Sequence, residues 1–428
     1  MWTRRDECRD IIKVAWNESV NLYTPNGMVA GLKQCAADLS RWNRSMFGLV
    51  PRKIQNKRKV LNELVLKDQD GSNGSEINKI RKEINDFLDC EKIMWQQRSK
   101  VQWMGLGNRN TKYFHTKAFG RKKKKTITKL MDEMAVWRES TLEVAKVVVS
   151  YFEKLYTTSY PDRILEVVEA IDPKVSDEMN QSLIKQFTKD EIEAALKQIH
   201  PTKSPGLDGM PAIFYQKYWD IVGNDVVCMV LNVLNSNISM TNINKTFITL
   251  IPKTNNPAKM TEFRPISLSN VIYKLISKVL ANCLKSILPQ IISENQSVFL
   301  SERLITVNVL IAFELMHYLD HKRDGKDCYM VIKLDMSKTY NRVKWGFIEQ
   351  VMKKLGFHEK WICLIMCCIT SVSYFVLING VAYGNIMPSR GLRQGDPLSS
   401  YLFLLCADGF SSLISKAVRN QMMSDLSI

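Results

Sequence analysis

Along the first hundred positions apolar residues recur at steps of three and four, the period of helices with one buried face. Residues 1–20 (MWTRRDECRDIIKVAWNESV) already form an amphipathic stretch, although no clear helix start precedes it. Leu32, Cys35, Ala36, Leu39 and Trp42 continue the period and predict helix over residues 28–66. Gly71-Ser72-Asn73-Gly74 has turn composition, after which Ile77, Ile80, Ile84, Phe87 and Leu88 resume the pattern. Long helices flanking a short polar turn predict an antiparallel αα-hairpin. Another helix is expected over residues 142–155. Thr188 followed by Lys189-Asp190-Glu191 is a capping-box sequence and opens a helix to Ile199. From about residue 200 short apolar strands alternate with helices of ten to twenty residues, so an α+β class is expected. The chain divides on this reading into a helical basic region (1–130), a helical connector (131–200) and an α+β part (201–428).

Three segments of the last part carry candidate chemistry. In CYMVIKLDMSKTYNRVKW (328–345) an apolar, β-branched run predicts a buried strand that ends on Asp335, followed by a turn and a helix. A carboxylate there needs a partner if it is buried. A divalent metal is one; capping the next helix is the plainer alternative. In SVSYFVLINGVAYGNIMPSRGLRQGDPLSSYLFLLCADGFSSLI (371–414) a strand, a turn and a second strand lead to a Gly-rich loop that opens a helix near Pro397. Arg393, Gln394 and Gly395 would offer an anion a cation, backbone N–H groups and a helix N-terminus. In FITLIPKTNNPAKMTEFRPISLSNVIYKLISKVL (247–280) a strand ends at Lys253, and Arg264 precedes a proline and a helix. These two cations either clamp a triphosphate or are plain surface charges.

Charge changes the picture most in the first third. The formal net charge is +17, and nearly all of the excess lies in residues 1–130. That implies a polyanionic partner. With 45% hydrophobic and 24% charged residues the chain is globular rather than disordered. The segment GNRNTKYFHTKAFGRKKKKT (107–126) interleaves Arg109, Lys112, Arg121, Lys122, Lys123, Lys124 and Lys125 with Tyr113, Phe114, His115 and Phe119. Cations neutralise phosphates while aromatic rings stack on unpaired bases. A solvated charge cluster at a helix end and a nuclear-import signal are the other readings.

Ten cysteines without a CxxC pair, and no signal-peptide pattern, predict reduced thiols in an intracellular protein. Cys363 and Cys367 share a helical face, but the five histidines are scattered, so core thiols are expected there rather than a metal site. No unbroken apolar run approaches the ~20 residues of a membrane span, and no membrane partner is expected.

The order of the segments is itself informative. KSPGLDGMP (203–211), LIPKTNN (250–256), FRPISL (263–268), QSVFLSERLITVNVLIAFE (296–314), KLDMSKTYNRV (333–343) and GLRQGDPLS (391–399) resemble the successive blocks of plant LINE-type (non-LTR retrotransposon) reverse transcriptases. GNRNTKYFH (107–115) is similar to the segment such elements carry between endonuclease and polymerase. The likeness runs from about residue 90 onward. It implies right-hand polymerase fingers and a partial palm. Asp335 would be the first metal-binding carboxylate, and the backbone of Met336, Ser337, Lys338 and Thr339 would lie under the triphosphate. Tyr340 would be the gate against a ribose 2′-OH. Lys253 and Arg264 would hold the triphosphate, Gln394 and Gly395 would pack on nucleotide and template, and Arg303 would touch template or primer. The implied partners are an RNA template, a DNA primer or target and dNTP. The implied cofactor is Mg²⁺, as a pair of ions.

The sequence also departs from that family. Its second carboxylate pair, an aromatic-x-Asp-Asp hairpin, has no counterpart, and no Asp-Asp pair occurs anywhere. Asp408, in Cys406-Ala407-Asp408, falls within the preceding helix. Asn341, Val307 and Ser400 stand where the family usually has Asp, Asp and Pro. A polymerase with an incomplete site, inactive as it stands, is therefore expected. The alternatives are a non-catalytic nucleic-acid-binding remnant and a fragment that does not fold stably.

Overall fold

The computed structural model describes residues 5–48, 50–68, 71–99, 101, 111–159, 164–236, 238–300, 303–322 and 330–423. Several of its helices start on a capping side chain, and several bury the face that the period marks. Helix α1 (Glu7–Asn17) turns Cys8, Ile12, Ala15 and Trp16 inward. In α2 (Pro25–Phe47) the Thr24 side chain accepts the Gly27 N–H and Pro25 fills the first turn. The helix expected over 28–66 is broken at Gly48, a weak helix former, and resumes as α3 (Val50–Lys67). Lys53 lies over the Phe87 ring and Lys57 pairs with Glu83 of α4 (Gly74–Ser99). The two helices thus run antiparallel, as the expected hairpin, around a small core of Phe47, Val50, Ile54, Ile80 and Ile84.

Helix α5 (Thr111–Lys125) packs on α4. A two-stranded hairpin of β1 (Leu130–Met131) and β2 (Trp137–Arg138) leads into α6 (Thr141–Tyr156), whose N-cap is Ser140. Short helices α7 (Ile164–Val168) and α8 (Asp177–Ile184) follow. Both reciprocal bonds of the Thr188–Glu191 capping box are present at the start of α9 (Lys189–Gln198). Then come α10 (Ala212–Lys217) and α11 (Trp219–Ser236).

The second half is built on β3 (Lys245–Pro252), β4 (Phe263–Ser269), β5 (Ser373–Ile378) and β6 (Val381–Ile386), in the order β4-β3-β5-β6. β3 pairs antiparallel with β4 and parallel with β5. A parallel neighbour requires a long crossover. It contains α12 (Val271–Ile291), α13 (Ile305–His321), α14 (Thr339–Arg342), α15 (Trp345–Leu355) and α16 (Glu359–Thr370). Helix α17 (Ser399–Arg419) comes last. Ile248, Leu250, Val376 and Ile378 face Val144, Val148 and Phe152 of α6, while α5 lies against β3. The larger core joins α9–α12 and α15–α17, and α1 and α2 also pack into it. The Trp16 indole, for example, donates to Asp225 at 2.9 Å.

Three expectations are corrected. Residues 330–336 form no strand: Met330, Val331, Ile332 and Leu334 are exposed and pair with none of the described strands. An unpaired strand gains no ladder bonds and does not hold in water. Residues 328 and 329 lie outside the described residues. Arg264 does not precede a helix directly but sits in β4, an edge strand that tolerates Pro265. Helix α17 is long and apolar enough to cross a membrane, because scattered Ser and Asp interrupt its apolar run without lowering its average much; it sends Leu402, Leu404 and Leu405 into the core. Helix α13 carries Val309, Leu310, Ile311 and Phe313, yet none of its residues is buried.

Candidate functional site

Two of the chemistry-bearing segments are stitched together. The Leu392 N–H donates to the Tyr340 carbonyl and the Gly391 N–H to the Val343 carbonyl, each at 2.7 Å. Lys344 and Arg390 form an antiparallel bridge, and the Trp345 indole donates to the Gly391 carbonyl at 2.8 Å. Gly391 is required here: its φ is +101°, and a Cβ would lie 2.9 Å from the Asn341 carbonyl oxygen. Two residues on, the Gln394 carbonyl accepts the Ser267 N–H of the edge strand β4 at 3.3 Å. The Gln394–Gly395 loop is thereby pinned between the α14 turn and the β3–β4 hairpin. Asp335 is exposed, five residues ahead of Tyr340, and so within about 18 Å of it along the chain.

Arg393 does not face an anion. It is only 4% exposed. Its Nε is 3.2 Å from the Asp396 carboxylate, its Nη2 donates to the Cys368 carbonyl at 2.9 Å, and its Nη1 donates to Asn244. The guanidinium stacks 3.8 Å over the Tyr273 ring. Asp396 in turn accepts from Ser277 and, at 3.1 Å, from the Leu398 N–H at the start of α17. The expected surface cation is a buried fastener for the loop, its charge neutralised internally.

Lys253 and Arg264 do sit together. The β3–β4 register pairs Ile251 with Arg264, and the Lys253 N–H donates to the Glu262 carbonyl at 2.8 Å. By strand alternation Lys253 and Arg264 then share one face, a diagonal step apart. Both side chains are exposed. Lys338 has a left-handed backbone (φ +54°), and its ammonium lies 4.2 Å over the Tyr151 ring of α6. Burial, with the nearby Arg342 adding, pushes that ammonium down to about 8. Met336 and Ser337 are exposed, Thr339 is half-buried, and the Tyr340 ring is stacked on Phe403 of α17 at 5.0 Å. Asn341 is buried.

The acidic residues do not fit a two-metal site. Among the described residues no group of three or more His, Cys, Asp or Glu side chains could hold a metal ion. Asp408 is in α17 and is fully used: it pairs with Lys174 at 3.1 Å and accepts the Ser293 N–H at 3.0 Å. Asp335 belongs to no such group, and one carboxylate does not by itself hold two ions. Cys368 is buried beneath Arg393, and Cys363 and Cys367 are half-buried.

Asp208, in the loop 203–211, carries a signal that residue type alone did not single out. Its Oδ1 accepts the Met210 N–H at 3.1 Å and its own N–H donates to Asn270, whereas Oδ2 is sealed off without a partner. Burial raises this carboxyl to about 6. A raised acid pKa means that the folded state holds a proton which the unfolded chain has released. Stability is therefore greatest below the unfolded pKa and falls as pH rises from about 4 through about 6. We expect Asp208→Asn to stabilise the chain by roughly 1–3 kcal/mol at pH 7.5 and by almost nothing at pH 4, read from urea unfolding at both pH values.

Arg303 and part of the basic segment are engaged within the fold. Arg303 donates through Nη1 and Nη2 to the carbonyls of Ser293, Gln296, Pro289 and Ile292, closing the end of α12, so its terminal nitrogens are taken up within the fold. Phe114 is buried and cannot stack on a base. Lys117 covers the Tyr113 ring at 5.5 Å, His115 stacks on Trp95, and Arg121 donates to the Ser99 carbonyl at 3.1 Å. Lys112, Lys122, Lys123, Lys124 and Lys125 are exposed. Arg109 lies outside the described residues.

Residues 251–424, which contain Lys253, Arg264, Asp335, Tyr340 and Gln394, match the family described as reverse transcriptase (RNA-dependent DNA polymerase). The chain carries a reverse transcriptase domain. Over 330 residues it is 26% identical to the transposon TX1 uncharacterized 149 kDa protein of Xenopus laevis, covering 77% of the chain and 25% of that protein. It is 24% identical over 272 residues to the Pol polyprotein of the type-2 retrotransposable element R2DM of Drosophila melanogaster, covering 63% of the chain and 24% of that protein. A short stretch of 41 residues is 58% identical to an uncharacterized mitochondrial protein of Arabidopsis thaliana, 10% of the chain and 34% of that protein. The chain spans about a quarter of the length of the first two relatives. The matched residues include β4, the α14 turn and the Gln394 loop. The basic helix α5 precedes the matched residues.

Proposed function

We propose that this reverse transcriptase domain, from a LINE-type element of plant affinity, binds a dNTP and a nucleic-acid template across the junction of the α14 turn with the Gln394–Gly395 loop. The observation that carries the reading is the pair of 2.7 Å bonds from Leu392 and Gly391 to Tyr340 and Val343. They join residues 340–343 to 391–392, in segments that each have weak meaning alone, and the Ser267–Gln394 bond ties the same loop to the hairpin bearing Lys253 and Arg264. Those cations attract the triphosphate by charge-assisted bonds, while the backbone of Met336–Tyr340 and the Tyr340 ring define where the sugar sits. Lacking a second carboxylate pair, the chain as it stands binds without polymerising, and Mg²⁺ reaches it chiefly on the nucleotide.

The test is nucleotide binding alongside primer extension on an RNA template. We expect weak, Mg²⁺-dependent dNTP binding, roughly tenfold weaker again in Arg264→Ala, since a bond to a charged group contributes about 1.5–3 kcal/mol. No extension product is expected. Sustained extension by this chain would remove the inactivity claim, and dNTP binding indifferent to Arg264 would remove the site. A second role as a nucleic-acid-binding protein is favoured by the exposed lysines of α5.

A further inference from the structure

We propose that Phe119 is a stacking platform for one unpaired nucleotide of a single-stranded nucleic acid, with Lys122 and Lys123 taking the adjoining phosphates. This deepens the nucleic-acid reading of the basic helix and rests on it, but it is independent of Asp335 and of the dNTP site.

Phe119 is 61% exposed, although α5 has α4 beside it to bury apolar groups. The other aromatic rings of the segment are engaged: Phe114 is buried, Tyr113 lies under Lys117, and His115 is stacked on Trp95 with centroids 3.6 Å apart. Phe119 lies beside that pair, nearly equidistant from the two rings. Its ring is nearly parallel to His115 (27°) at 6.4 Å and lies 6.0 Å from Trp95. Arg98 lies over the Trp95 ring at 5.1 Å. The Trp95–His115 pair flanks the Phe119 ring on one side, and most of that ring is left to solvent. Arg121, bonded to the Ser99 carbonyl, fixes α5 on α4 at this level.

Charge supplies the second half. Lys122 and Lys123 follow Phe119 at three and four residues, so they stand on its side of the helix. Both are exposed. A ring flanked by cations one turn away matches a nucleotide, whose base offers a π-face and whose phosphates lie beside it. A duplex does not fit, because its bases are already stacked on both faces. Stacking ignores base identity and sugar, so unpaired RNA and DNA are bound alike.

The experiment uses the full chain and 12-residue oligonucleotides carrying 2-aminopurine, as single-stranded RNA, single-stranded DNA and duplex, across a salt series. Phe119→Ala and Phe119→Leu should each weaken binding of both single strands by roughly tenfold, within the five- to hundredfold range of a lost stacked base, without changing the slope of log K against log salt. Phe119→Trp should keep wild-type affinity. Lys122→Ala with Lys123→Ala should instead lower the slope by ~1.4. Duplex binding should be indifferent to Phe119. If the lysine variant weakens binding and the Phe119 variants do not, the platform is wrong while the basic helix still binds nucleic acid. If neither weakens it, both fall. Full affinity in Phe119→Leu, or a loss on one sugar only, would also overturn stacking. Melting curves matched to wild type confirm that the surface substitutions leave the fold in place.

Discussion

Replacing Arg393 with methionine should lower the unfolding free energy by about 3–5 kcal/mol, the usual cost of removing one member of a buried ion pair. Met fills much of the volume, so the loss is chiefly electrostatic. It leaves the Asp396 carboxylate buried without its cation, and the Asn244 side chain and Cys368 carbonyl lose donors. A surface ion pair would contribute about 0–1 kcal/mol and would weaken in salt. The Arg393 effect should therefore persist in 1 M NaCl. The pair as a whole is a different matter: bringing two charges out of water offsets most of their attraction, so Arg393→Met with Asp396→Leu should recover a large part of the loss. Urea unfolding of wild type, the single and the double variant measures this. A single variant within about 1 kcal/mol of wild type would mean that Arg393 is solvated and the loop is not fastened as described.

Gly391→Ala should damage the site more than the fold. A non-glycine residue at φ +101° costs on the order of 1–3 kcal/mol, and the added Cβ meets the Asn341 carbonyl at 2.9 Å. That oxygen is backbone and cannot turn aside as a side chain could. Relief requires residues 390–392 to withdraw from 340–343, which breaks the bonds that join the two segments. The expected result is loss of nucleotide binding beyond detection with a cooperative melt retained. Trp345 reports the same event, since its indole donates to the Gly391 carbonyl. Its emission should change in Gly391→Ala and stay unchanged in Gly380→Ala, where no neighbour lies within 4 Å of the added carbon although the left-handed strain is shared.

What the sequence disclosed follows the range of the forces involved. Helix periodicity and caps are local, and the Thr188–Glu191 box, the α3–α4 hairpin and the β5–β6 hairpin leading to α17 were all readable. The strand through residues 330–335 was misread because an apolar run states a wish for burial without naming a partner strand, and none of the described strands stands beside it. Strand β4 was missed because Arg264-Pro265 looks like the end of a strand, and only an edge position reconciles them.

Site residues were legible as types, less so as roles. Lys253 and Arg264 could be paired from a short loop between them. The arginines resisted. Arg393, Arg303 and Arg121 all looked like cations for an anion, and all three bond to backbone carbonyls within the fold. Whether a guanidinium faces water depends on residues far along the chain; Asn244 and Arg393 are 149 positions apart. Phe114 and Phe119 are likewise indistinguishable in sequence, and packing alone buries one and exposes the other.

Photo-crosslinking locates the nucleotide most directly. An azido-dNTP irradiated with the intact chain in Mg²⁺, followed by peptide mass spectrometry, should label peptides spanning residues 253–264, 333–344 or 390–398, with the label displaced by unmodified dNTP and absent in Gly391→Ala. Label confined to α5, or competed by salt but not by dNTP, would contradict a nucleotide site at the meeting of Tyr340 and Leu392.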